Sequence, residues 1–116
     1  MSVPSTAKRF YQLTPARQRL VRIMQLLTFG FIEALEVRAG EPVFSPAPTI
    51  VAEVKLESDN VPPPAIDLTD FELRAEVCSL MDALAALHDG SVMRIDVRYG
   101  IPRRLLIERS VREVGA

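Results

Sequence analysis

Leu35-Glu36-Val37-Arg38-Ala39-Gly40-Glu41-Pro42 is followed, sixty positions on, by a second version of itself, Ile95-Asp96-Val97-Arg98-Tyr99-Gly100-Ile101-Pro102. Upstream of each, Leu20, Met24, Leu27 and Gly30 stand in the same register as Leu80, Leu84, Leu87 and Gly90. Each copy reads as one helix followed by a hairpin. A unit that small cannot bury its own apolar face, so the copies must close over each other.

The local signals agree with that division. Thr14-Pro15 is a helix start, with Thr able to cap free amides and Pro suited to the first helical position. Leu20, Ile23, Met24 and Leu27 follow at helical spacing, and Gly30 is expected to stop the run. Phe31 to Arg38 then alternates as a strand, with Leu35 and Val37 inward and Glu36 and Arg38 outward. Ala39-Gly40 turns the chain. The return strand is interrupted at Ser45-Pro46-Ala47-Pro48, because proline cannot donate to a ladder. It resumes over Thr49 to Leu56.

The second copy opens with Thr69 and Glu72 at capping-box spacing, Leu68 and Leu73 forming the staple. Its helix runs to about His88 with a broad apolar stripe (Leu73, Val77, Leu80, Met81, Leu84, Leu87), widened by alanines, and Gly90 stops it. Met93, Ile95 and Val97 then face inward and Arg94, Asp96 and Arg98 outward. Tyr99-Gly100 turns, and Leu105 and Ile107 return. The expected fold is α+β: two α-β-β repeats forming a roughly four-stranded antiparallel sheet with two helices on one face. The chain divides into a mobile arm (1–13), a first repeat (14–57), a Pro-rich linker (58–66), a second repeat (67–109) and a tail (110–116), all within a single domain.

Each copy resembles an uncharacterised family of short bacterial helix–hairpin proteins of unknown function. In the second copy the matching residues are Leu84, Leu87, Gly90, Ile95, Val97, Gly100, Ile107 and Glu108. In the first they are Met24, Leu27, Gly30, Leu35, Val37 and Gly40. The resemblance implies no activity. It suggests a fused pair of a unit that elsewhere would have to dimerise.

Composition narrows the function. The chain has 116 residues, 48% hydrophobic and 25% charged, with a net charge of −1, so the molecule as a whole exerts no strong pull on nucleic acid or acidic lipid. One cysteine excludes an intrachain disulfide. No signal peptide or membrane-length apolar run is evident, so a cytoplasmic protein with no membrane role is expected. His88 is the only histidine, and Cys78 lies close to opposite it on a helix, so a Cys–His pair is not expected. Cys78 reads as a small buried hydrophobe and His88 as a helix-end residue. Asp67, Asp70 and Glu72 read as favourable charge at a helix start, with a metal-binding cluster as the alternative. The four glycines belong to no phosphate-cradling loop. No catalytic residue, cofactor, metal or small-molecule substrate is expected.

What remains is an arginine set. Arg38, Arg94 and Arg98 share the outer sheet face with Arg104, Arg103 lies beside it, and Tyr99 sits at the turn, where its ring could stack on a base. These six are the candidate partner- or phosphate-binding residues. The alternative is that Glu36, Asp96 and Glu108 on the same face balance the arginines in cross-strand pairs. The reading that follows is a small non-enzymatic interaction or accessory protein that associates with a protein partner or with itself. The alternative is a nucleic-acid-associated protein using the arginine face and the basic arm of Lys8, Arg9, Phe10 and Tyr11.

Overall fold

The computed structural model describes residues 7–56 and 70–108. The linker, the tail, Asp67, Leu68 and Thr69 lie outside the described residues. The first helix, α1, spans Pro15–Leu27, and the Thr14 hydroxyl accepts the Arg17 amide at 3.3 Å, as the Thr-Pro signal predicts. Strand β1 is Phe29–Arg38, β2 is Glu41–Val43 and β3 is Thr49–Ala52. Helix α2 is Ala75–Leu87, followed by β4 (Gly90–Arg98) and β5 (Ile101–Ile107).

The strands make one antiparallel sheet in the order β2-β1-β4-β5, with β3 also paired to β1. Among the described residues there are thus five strands rather than about four. The Ser45–Pro48 interruption splits one return strand into β2, opposite Glu36–Arg38, and β3, opposite Gly30–Glu33. Ile32, Leu35 and Val37 of β1 and Val92, Ile95 and Val97 of β4 are buried against Leu20, Val21 and Met24 of α1 and Val77, Leu80, Met81 and Leu84 of α2. Both helices therefore cover one sheet face, and the other stays in water.

Inward positions are spaced by three and then by two in both central strands (32, 35, 37 and 92, 95, 97). Simple alternation cannot produce that spacing. In β1 the change of phase falls at Ala34, which has φ 58°, and in β4 it falls at Met93, which is skipped in the pairing with β5. Met93 is consequently exposed, not inward as alternation suggests.

Other expectations change at the helix ends. Gly30 and Gly90 lie within strands. The helices end earlier, at Thr28 and His88, both with φ 62°, whose amides donate to Met24 and Leu84 carbonyls at 3.1 and 3.0 Å. Helix α2 begins at Ala75, not at Thr69-Glu72. Residues 71–73 are instead held as an extended partner of the N-terminal segment: the Phe10 amide donates to the Phe71 carbonyl (2.9 Å) and the Leu73 amide to the Lys8 carbonyl (2.8 Å).

That pairing also docks residues 7–13, which composition places in a mobile arm. Phe10 and Leu13 are buried, and Phe10 stacks on Phe71 with ring centroids 5.0 Å apart. The Arg22 guanidinium lies 4.1 Å from the Phe10 centroid, and Arg9 Nε donates to Asp70 Oδ2 at 2.5 Å. Two large apolar rings removed from water outweigh the polar character of the segment. Elsewhere, Arg17 fastens α1 to the first hairpin. Its Nε lies 2.8 Å from Glu41 Oε2 in an ion pair without an aligned hydrogen bond, and its Nη2 donates to the Gly40 carbonyl at 2.9 Å.

Backbone torsions coincide at positions sixty apart: Ala39 and Tyr99 have φ 52° and 56°, and Gly40 and Gly100 have φ 75° and 73°. Two consecutive positive-φ residues make each hairpin a two-residue turn whose twist suits the strands, and Gly at the second position removes the Cβ penalty. The Gly40 amide donates to the His88 carbonyl (2.7 Å) and the Gly100 amide to the Thr28 carbonyl (2.9 Å). Each turn is thereby tied to the end of the helix from the other half of the chain.

Candidate functional site: the outer sheet face and the β5 edge

Antiparallel register sets Phe31 opposite Asp96, Glu33 opposite Arg94 and Phe29 opposite Arg98 on the wet face. Arg94 Nε donates to Asp96 Oδ1 and Arg104 Nε to Asp96 Oδ2, each at 2.7 Å. The Arg94 guanidinium also lies over the Phe31 ring, its Cζ 3.8 Å from the centroid. The Arg94 hydrogen bond holds the Asp96 carboxyl below its ordinary range against the opposing effect of desolvation, and Arg104 adds to the lowering. Two of the six candidate residues are thus bound to one aspartate, in the self-balanced arrangement.

Of the other four, only Arg38 is set apart from the rest. Arg103 falls in an irregularity of the β4–β5 register and reaches Glu76 on α2 at 3.4 Å, at the edge of the sheet. Arg38 closes β1 opposite Glu41, whereas Arg98 closes β4 opposite Phe29. The two lie at opposite ends of the central strand pair, nine residues apart in register, or about 30 Å. Tyr99 is exposed but packs edge-on against Phe29 with centroids 4.8 Å apart. Among the described residues no carboxylate pairs with Arg98. Arg94, Arg98, Arg103, Arg104 and Tyr99 line an open depression of about 950 Å³ floored by Phe31, and Arg38 lies outside it.

The carboxylates named in the sequence do other work. Asp70 accepts from the Tyr11 amide at 2.9 Å and from Arg9. Partial desolvation would raise its pKa, but the Tyr11 amide and Arg9 outweigh that and leave it lowered. Glu72 is exposed in the extended segment. Among the described residues no three His, Cys, Asp or Glu side chains converge as a metal would require. Cys78 is partly buried, its Sγ 3.8 Å from the Ala7 carbonyl. His88 Nδ1 lies 2.8 Å from Asp89 Oδ2. No helix among the described residues is long and apolar enough to cross a membrane.

A different region stands out once the sheet is assembled. Strand β5 is an outer strand, and among the described residues nothing pairs with its free side. Beside it a groove of about 400 Å³ runs between α2 (Ala75, Ser79, Ala83) and β5 (Pro102, Leu105). A smaller depression continues along Ala83, Ala86, Leu87 and Ile107. Leu106 is exposed on the wet side of the same strand, and Met93 is exposed nearby on β4.

No protein-family model, curated protein or solved structure matches this chain. Its function is therefore read from these surfaces.

The sequence pattern pointed to the arginines and passed over the β5 edge. Its signal was the run Leu105-Leu106-Ile107, three apolar residues in a row where alternation would place one outward-facing polar residue.

Proposed function

We propose that the chain is a small cytoplasmic, non-enzymatic association module that engages a protein partner along the edge formed by β5 and α2. The observation that carries this reading is the seven-residue β5, whose outer side has no partner among the described residues, flanked by a mostly apolar groove whose helical wall presents Ala75, Ser79, Leu80 and Ala83, with the Arg103–Glu76 ion pair at its rim. A free edge offers backbone donors and acceptors, and a wall of small side chains lets a partner's backbone come close. Incorporating a photo-crosslinking residue in place of Ser79 in the native host tests it. The expected result is a discrete adduct at position 79 and none at Glu33 on the outer face. Absence of any adduct at 79 overturns the reading.

The same proposal takes the chain as two fused α-β-β units of the helix–hairpin type. The paired torsions at 28/88, 39/99 and 40/100 and the reciprocal turn-to-helix hydrogen bonds support it. A fused pair fills internally the interface that a separate unit would fill by dimerising, which leaves the outer edges for other uses.

A second reading, phosphate-backbone binding, is favoured by one observation: Arg98 stands in the outer depression beside Tyr99 without an ion-pair partner among the described residues. It ranks below the first because Arg94 and Arg104 are already committed to Asp96. Filter binding of single- and double-stranded nucleic acid at low salt tests it. Binding that weakens with salt and with Arg98→Ala supports it, and no retention removes it.

A further inference from the structure

The two outer edges of the sheet are not alike. The edge next to β1 is broken into β2 and β3, of 3 and 4 residues, by the Ser45–Pro48 interruption, which denies a partner strand a continuous ladder. Strand β5 runs for 7 residues without a break. Its protective features, Pro102 and the irregularity at Arg103, are confined to its first half. The second irregularity of the β4–β5 ladder, opposite Leu106 and Ile107, places its extra residue, Met93, on β4, so the β5 backbone itself is continuous from Arg104 onward. Beyond Arg104 its side chains are apolar on both faces, Leu105 and Ile107 toward α2 and Leu106 outward.

We infer that this half of β5 pairs antiparallel with the β5 of a second copy of the chain, centred on Leu106, so that one sheet runs across two molecules. The inference rests on the association reading above and names its partner. The sequence of the edge is what selects a second copy. In an antiparallel pair, opposite residues share a face. Centring on Leu106 sets Leu106 opposite itself on the wet face and Leu105 opposite Ile107 on the helix-covered face, so apolar meets apolar at these three central positions. The same register sets Arg104 opposite Glu108 at both ends, a self-complementary charge pair. Arg104 gives only its Nε to Asp96, and its remaining guanidinium donors are available to the opposing carboxylate. A twofold axis through this strand pair also brings the two α2 helices to the same side, where Ala75, Ser79, Ala83 and Ala86 allow close approach.

Size-exclusion chromatography with light scattering on the full chain tests this over a wide concentration range. The expected mass is twice 12.9 kDa. Leu106→Lys, at an exposed site, should give a monomer with an unchanged circular dichroism spectrum. Leu106→Cys provides a second readout. Residues directly opposite in an antiparallel pair have Cα atoms about 4.5–5.5 Å apart, within disulfide reach. Mild oxidation should therefore yield a covalent dimer, whereas Leu26→Cys, at an exposed site on α1, should not. Glu108→Arg should raise the dissociation constant about tenfold, and Arg104→Glu added to it should restore dimerisation. A monomeric wild type, a dimer indifferent to Leu106→Lys, or equal cross-linking at 26 and 106 overturns the inference. If the wild type is monomeric yet Ser79 still crosslinks to a different protein in the host, self-pairing falls while the association reading stands. If neither occurs, both fall.

Discussion

Asp96 is the residue on which the outer face turns. It holds two guanidiniums at once, so its loss frees two cations and leaves the face strongly basic. Asp96→Asn should lower stability by about 1 kcal/mol, read as a shift in the urea midpoint, because the pairs are only partly shielded from solvent. Asp70, Asp89 and Asp96 all carry lowered pKa values; for Asp89 the Ala39 amide is the main cause and His88 the next. A carboxyl whose folded pKa lies below its unfolded value contributes stability that is full above the unfolded value of about 4 and is lost as pH falls through the folded one. The melting temperature should therefore be flat above about pH 5 and drop below about pH 4. Replacing all three by Asn should lower the plateau and shallow the acid drop; an unchanged acid limb would contradict this. At Gly30 the constraint is steric. A Cβ there would stand 2.0 Å from the Val51 carbonyl oxygen, so Gly30→Ala should cost about 3 kcal/mol by forcing β3 off β1. Thermal denaturation would show it, and a wild-type melting temperature would refute it.

At the scale of elements, sequence and structure part where long-range pairing overrides a local signal. Helix α1 was legible because Thr14, Pro15 and the Leu20–Leu27 stripe act within a few residues of one another. The inward placement of Leu35, Val37, Ile95 and Val97 was legible for the same reason. The start of α2 was not. Thr69 and Glu72 have capping spacing, but residues 71–73 are taken by the backbone of Lys8–Phe10, some sixty residues away, and no local rule anticipates that. Ala34 and Met93 changed the phase of their strands for a related reason, since a phase change depends on how the neighbouring strand is paired. The arginine site was legible in part: strand alternation brings Arg94, Arg98, Tyr99, Arg103 and Arg104 to one depression, but only the strand register sets Arg38 at the opposite end of the sheet. The docked N-terminal segment gives a test at this scale. Phe10→Ala removes a buried ring stacked on Phe71 and should cost about 3 kcal/mol in chemical denaturation. It should also expose the Lys8-Arg9 bonds to trypsin well below the global transition. Equal protection in the variant would show that other contacts hold the segment.

For the whole molecule, the core decides what can exist alone. Ile32, Leu35 and Val37 from one half and Val92, Ile95 and Val97 from the other face the two helices in a single cluster. Neither half encloses an interior without its counterpart. Fragments 1–57 and 58–116, expressed separately, should each show little ordered structure by circular dichroism, and mixing them should restore the spectrum of the intact chain. A fragment that folds by itself would contradict a shared core.

The crossed tether between turns and helix ends has a kinetic consequence. The Gly40 amide is held by the His88 carbonyl and the Gly100 amide by the Thr28 carbonyl, so neither helix end can fray without releasing a hairpin that belongs to the opposite half. Opening at one end removes a support at the other. Deuterium uptake at these two glycines should accordingly be slow, matched in rate, and as sensitive to denaturant as the buried strands, although both lie in turns, which commonly exchange first.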